Sequence, residues 1–196
     1  LPEDWHPASW QDILDAGHAL QSIDGVIPIQ LNAGTAMGEA TTMQGLLPML
    51  VGTGAEVYSE DQWIGATDQL RQVLDLYRTI YVDDQLGDPI LQQEADGRDS
   101  SFAQFADGQI GILLEGDYFW RSVIDPNDGT APMEDRDEVV GYTLIPAETP
   151  GSGINGQDFV SMSGGTGRVL NPTSENPEHP WELHPYMKSP KPYYPP

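Results

Sequence analysis

A chain of 196 residues with no cysteine is long enough to bury one ordinary core, and it excludes disulfides, thiolate metal sites and a cysteine nucleophile. Its 31 acidic and 8 basic side chains leave a net charge of −23, which repels phosphate backbones and anionic headgroups; no nucleic acid and no membrane surface is an expected partner. With 38% hydrophobic residues, 21 Gly and 17 Pro, the chain is too apolar for a disordered segment and too rich in turns for a helical bundle.

The opening residues predict a helix capped by Ser9, with Trp10, Ile13, Leu14, Gly17 and Leu20 at helical spacing and Gly25 beyond its end. VIPIQL (26–31) suits a buried strand that Pro28 confines to an edge or a strand start. A Gly- and Thr-rich loop comes next, and Met43 to Leu50 crowd as in a buried helix. Between Asp61 and Val82, Trp63, Ala66, Leu70, Val73, Leu74, Tyr77 and Ile80 recur at steps of three and four, which predicts one long amphipathic helix with Trp63 and Leu74 on its buried stripe.

Ser100 or Ser101 is expected to cap a short helix carrying Phe102 and Phe105 and closed by Gly108. QIGILLEG (109–116) reads as a strand and DYFWRSVID as a helix straight after it. EVVGYTLIP reads as another strand, AETPGSGINGQ as a loop, and DFVSM as an apolar, strand-like run. Prolines from Pro177 to Pro196 forbid a long helix near the end. Alternation of strands and helices predicts an α/β fold, in which ligands gather at loops beyond strand ends.

Three motifs fail on their context. GSGING (151–156) matches a dinucleotide fingerprint but leads into a strand-like run instead of a helix, and no Lys or Arg lies between Arg136 and Arg168 to hold phosphate. Asp125, Asn127 and Asp128 before Gly129 lack the spacing of a calcium loop and read as a turn. His6, His18, His179 and His184 form no zinc-binding pattern. No metal and no cofactor is expected. Glu115 and Asp117 could be a glycosidase pair, although carboxylates two apart recur by chance in so acidic a chain. Tyr118, Phe119 and Trp120 just after a strand end carry more information, because aromatic faces stack on the C–H faces of sugars; a helix burying its first turn explains them equally well.

Four segments together resemble the extracellular solute-binding proteins of sugar importers, the family that includes maltose-binding protein. They are PASWQDILDAGHAL, FAQFADGQIGILLEGDYFW, VGYTLIPAETPGSG with SGGTGRVL, and SENPEHPWEL. Pro180 before Trp181, with His184 and Pro185 after it, departs from the family's helix there. The resemblance implies the carboxyl-terminal lobe of a two-lobed flytrap, residues 1–178, followed by a proline-rich tail, 179–196, with the amino-terminal lobe outside this chain. It further implies a monomeric, extracytoplasmic carrier, periplasmic or held at the cell surface, that hands its ligand to a membrane-embedded ABC permease and makes or breaks no bond.

By the same resemblance Tyr118 stacks on the sugar with Trp120 close by, and the loop from Met37 to Thr42, together with Gly164 and Gly165, borders the cleft. Glu39, Glu115 and Asp117 are then hydroxyl acceptors, and Gly116 lets the backbone come close. Three other readings stay open: a binder of the same fold for a non-sugar polar solute such as a peptide or polyamine, a carbohydrate-active hydrolase using Glu115 with Asp117 or Glu39, and a scaffold domain that binds no small molecule.

Overall fold

The computed structural model describes residues 1–2, 4–160 and 173. The chain divides into two units, Leu1–Met162 and Ser163–Pro196. Mixed helices and small sheets make up the described part of the first, in keeping with an α/β chain.

Helix α1 runs Trp10–Leu20. The Ser9 hydroxyl accepts from the Asp12 amide at 3.2 Å, the cap that the sequence predicts, and the Asp12 carboxylate accepts from the Ala8 amide just before the cap at 2.8 Å. Strand β1 is Ile27–Gln30. A 3-10 turn, Thr35–Met37, and a π-helical turn, Thr41–Leu46, lead into α2, Leu47–Gly52. Next come β2, Tyr58–Ser59, and β3, Gln62–Trp63, paired antiparallel as a short hairpin.

Helix α3 spans Asp68–Arg78 and continues as a π turn, Thr79–Asp83. It is shorter than the sequence reading, and the reason is local. Gly65 and Thr67 stand where a helix start is favoured, and the Thr67 hydroxyl accepts from the Leu70 amide at 3.1 Å. Trp63 therefore belongs to the hairpin and is 80% exposed, and Leu74, 55% exposed, lies on the solvent side of α3. The buried stripe is Val73, Leu76 and Ile80, with Leu70 and Tyr77 packed at its margin.

Helix α4 covers Gly97–Ala106. It starts before either serine, and Ser101, buried inside it, donates to the Arg98 carbonyl at 2.7 Å instead of capping. Strand β4, Ile110–Leu113, lies parallel to β1, Ile29 opposite Ile112 and Gln30 opposite Leu113. β1 has β4 as its one strand partner among the described residues, and the Ile29 amide donates to the Leu86 carbonyl at 2.9 Å. The missing N–H of Pro28 is tolerated at such an edge.

The expected helix after β4 is a single π turn, Phe119–Val123. It stops at Asp125, whose carboxylate accepts from the Asn127 and Asp128 amides at 3.0 and 3.1 Å; the suspected calcium loop is an Asx turn. EVVGYTLIP does not form the predicted strand. A short helix α5, Arg136–Val139, occupies its start, and among the described residues the pairing is confined to β5, Ile145–Pro146, antiparallel with β6, Phe159–Val160. GSGING lies in the connection between β5 and β6, with Gly151, Asn155 and Gly156 at positive φ.

The main core joins α1, β1, α2 and α3 through Trp10, Ile29, Met49, Leu50, Val73 and Ile80. Met37, Ala40, Leu91 and Ile110 form a second cluster, and Phe102, Val123, Ile124 and Met133 a third. Among the described residues no helix is long and apolar enough to cross a membrane.

Candidate functional site

Both strands of the parallel pair run out into polar clusters at their carboxyl ends. After β1 the chain is held by neutral groups. The Tyr81 hydroxyl accepts from the Leu31 amide at 2.8 Å and from Gln92 Nε2 at 3.0 Å, and donates to the Leu31 carbonyl. Gln92 also donates to that carbonyl at 2.9 Å, and its Oε1 accepts from the Ala33 and Gly34 amides at 2.8 and 3.1 Å. Tyr77 donates to the Asn32 carbonyl at 3.2 Å. Burial pushes the Tyr77 phenol well above its ordinary pKa. For Tyr81 burial again comes first, and its bond to the Leu31 backbone offsets only part of the rise.

After β4 the cluster is charged. Glu115, with only 3% of its side chain exposed, is surrounded by donors. Its Oε1 accepts from Asn32 Nδ2 at 3.0 Å and Arg98 Nε at 3.1 Å; its Oε2 accepts from Arg98 Nη2 at 3.0 Å and the Tyr118 hydroxyl at 2.6 Å. Arg98 Nη2 in turn donates to the Tyr118 oxygen at 2.7 Å. This two-pronged guanidinium contact is the geometry that compensates a buried carboxylate. Burial alone would lower the Arg98 pKa, but the hydrogen bond and charge of Glu115 reverse this and raise it. Burial raises the Tyr118 pKa, and acceptance of its proton by Glu115 raises it further.

The first turn of α4 ties these loops together. Gly97 sits where a Cβ would lie 1.8 Å from the Leu91 carbonyl oxygen, with Met37 Cε at 3.4 Å, so only a glycine lets the start of α4 lie against the Leu91 backbone. Arg98, the next residue, reaches Glu115 and Tyr118. A Cβ on Gly116 would stand 3.1 Å from the Tyr118 ring, which makes that glycine the floor under one part of the ring.

The expected residues thus separate by exposure. Met37 is buried with Leu91 and Ile110, so its side chain is core. Glu39 and Thr42 on the same loop are exposed. Glu115 is not an open hydroxyl acceptor, since Asn32, Arg98 and Tyr118 occupy its oxygens. Asp117 is 97% exposed, with Arg121 3.9 Å away. Of the two carboxylates considered as a glycosidase pair, Glu115 thus has its oxygens taken by donors while Asp117 stands in solvent. Tyr118 is half-buried, packed beside Phe102, Val123 and Met133. Trp120 is half-buried with the Arg136 guanidinium 4.7 Å from its ring centre and Tyr142 edge-on at 5.5 Å. Gly164 and Gly165 lie outside the described residues.

Sequence reading missed Arg98, Asn32, Tyr81 and Gln92. Arg98 had one signal: it is the only basic residue between Arg78 and Arg121, and a lone cation in an acidic stretch invites a buried partner. No group of metal-ligating side chains stands together among the described residues. A groove lined by Leu144, Gly156, Gln157, Asp158 and Phe159 contains none of the expected residues. Comparison with known proteins finds no matching family model, no matching curated protein and no matching solved structure.

Proposed function

We propose that this chain is a ligand-binding α/β lobe, the carboxyl-terminal half of a flytrap carrier that binds a sugar outside the cytoplasm and passes it to a membrane-embedded ABC permease. The observation that carries the reading is the anchoring of Tyr118. Its hydroxyl is tied to Glu115 and Arg98 at the carboxyl end of a parallel strand pair, where α/β sheets place their ligands. A phenol bonded inward at its oxygen leaves the exposed part of its ring as a preset apolar surface, the kind on which a sugar's C–H face stacks.

In this reading the loop after β1 adds Glu39 and Thr42, which are exposed and can exchange hydrogen bonds with hydroxyls. Met37 serves as the apolar peg beneath that loop. Nothing in the cluster supplies a free acid and base pair, and the reading is of binding without chemistry, by a monomer and without a cofactor.

The test is calorimetric titration of a panel of mono- and oligosaccharides, guided by thermal shift, since a ligand that binds only the native state raises its midpoint. Tyr118→Ala should weaken binding by about 1 to 3 kcal/mol. Tyr118→Phe, which keeps the ring and loses the anchor, should weaken it less. Residues 1–196 alone, as one wall of a divided site, should bind near millimolar, about −4 kcal/mol. Micromolar affinity of this chain by itself would show a site complete in one domain and end the two-lobe reading. Sugar turnover during long incubation would replace the carrier by a hydrolase.

A further inference from the structure

Trp63 is the outlier among the described tryptophans: Trp10 is buried, Trp5 and Trp120 are half-buried, and Trp63 is 80% exposed. It is not a loose side chain. It stands opposite Tyr58 in the β2–β3 register, and the two rings meet edge to face at 5.1 Å and 68°, an arrangement that holds the indole in place. Tyr58 is itself 50% exposed. The turn between the strands is Glu60–Asp61, both at positive φ, and Glu56, Glu60 and Asp61, within a few positions of the two rings in the chain, are exposed. No Lys or Arg precedes Arg71 in the chain.

We propose that the β2–β3 hairpin is a docking surface for a basic segment of a protein partner, with a lysine or arginine side chain laid over the indole of Trp63. Charge complementarity selects this occupant. The ring face attracts a cation and these three carboxylates add to that attraction, whereas a neutral group gains nothing from their field and an anion is repelled. The chain builds the same arrangement twice within itself. Arg136 lies over Trp120 and pairs with Asp125 at 3.3 Å; Arg98 lies over Phe102 at 5.4 Å and pairs with Glu115 at 3.0 Å. At the hairpin the aromatic and the acids are present, and among the described residues no cation lies over the Trp63 ring. This surface is independent of the sugar reading, because no residue of the Tyr118 cluster belongs to it.

The probe is a blocked tetra-arginine peptide, titrated calorimetrically into residues 1–196 at low salt. Trp63→Ala, which leaves the net charge alone, should weaken binding about two- to five-fold, the range of an exposed cation–π contact. Trp63→Phe should retain most of it. The pair Glu60→Gln with Asp61→Asn should weaken binding more than the pair Asp107→Asn with Glu134→Gln, which removes as much charge elsewhere. Equal loss from both charge pairs with no effect of Trp63→Ala would mean general attraction to an acidic protein and would overturn the proposal. So would the absence of peptide binding. Binding of cellotetraose that Trp63→Ala abolishes would reassign the hairpin to carbohydrate and overturn it as well.

Discussion

The two clusters beyond β1 and β4 use tyrosine hydroxyls for opposite ends. Around Tyr81 the hydrogen-bonding partners are neutral, and the bonds go to backbone: the Leu31 amide and carbonyl directly, and the Ala33 and Gly34 amides through Gln92. Such a network shapes a loop. Around Tyr118 the groups are charged and the bonds go from side chain to side chain, Arg98 to Glu115 to Tyr118. That network aims a ring. The neutral cluster needs no counterion and can be deeply buried, whereas the charged one holds a buried carboxylate only while its guanidinium stays in place.

The largest expected effect breaks the charged cluster. Arg98→Met leaves Glu115 buried without its cation and should cost about 3 to 5 kcal/mol by denaturant unfolding at neutral pH. Adding Glu115→Gln should recover part of the loss, because the stranded charge goes with it. If the single variant melts like the parent, Glu115 is solvated and the cluster is not a unit.

Next in size is Gly34→Ala. A Cβ there would lie 1.8 Å from the Gln92 carbonyl oxygen, so the neutral cluster must move, at about 1 to 3 kcal/mol. Tyr81→Phe removes the partner of the buried Leu31 amide and should also cost about 1 to 3 kcal/mol. A loss confined to the tenths would place water at that amide.

A pH titration compares the clusters directly. Tyr77, Tyr81 and Tyr118 all have raised pKa values when folded, so the folded phenols stay protonated where the unfolded chain ionises. Their contribution is fully present below about pH 10, the unfolded value, and is lost as pH rises beyond it. Absorbance at the phenolate band should show these rings titrating only together with alkaline unfolding. Early ionisation of Tyr118 alone would show an open cluster.

The smallest effects belong to the surface. Asp125 has a lowered pKa, first through the Asn127 and Asp128 amides and with Arg136 adding to it. Its contribution is therefore present above about pH 4 and falls away as pH drops through the lowered value. Asp125→Asn should flatten that acid limb of the melting curve. Leu74→Ala should change stability by no more than about 0.5 kcal/mol, as exposed substitutions do; a large loss would return Leu74 to the core.

How much of the fold was legible depends on the range of the forces involved. Helix α1, with its Ser9 and Asp12 cap, and strand β4 could be read directly, since caps and periodicity act over a few neighbours. The Gly65–Thr67 start of α3 was equally local and was outvoted by an apolar spacing that ran on to Trp63. EVVGYTLIP has strand composition, but a strand also needs a partner at the right place, and among the described residues β5 finds one in β6 for two residues, Ile145 and Pro146. The site divides in the same way. Aromatic and acidic residues after a strand end marked Glu115 to Trp120 as worth attention from sequence alone. Whether Glu115 faces a ligand or an arginine depends on Arg98 and Asn32, 17 and 83 positions away. Packing of α4 against β4, together with the β1–β4 pairing, brings those three side chains together, and burial then makes their pairing obligatory.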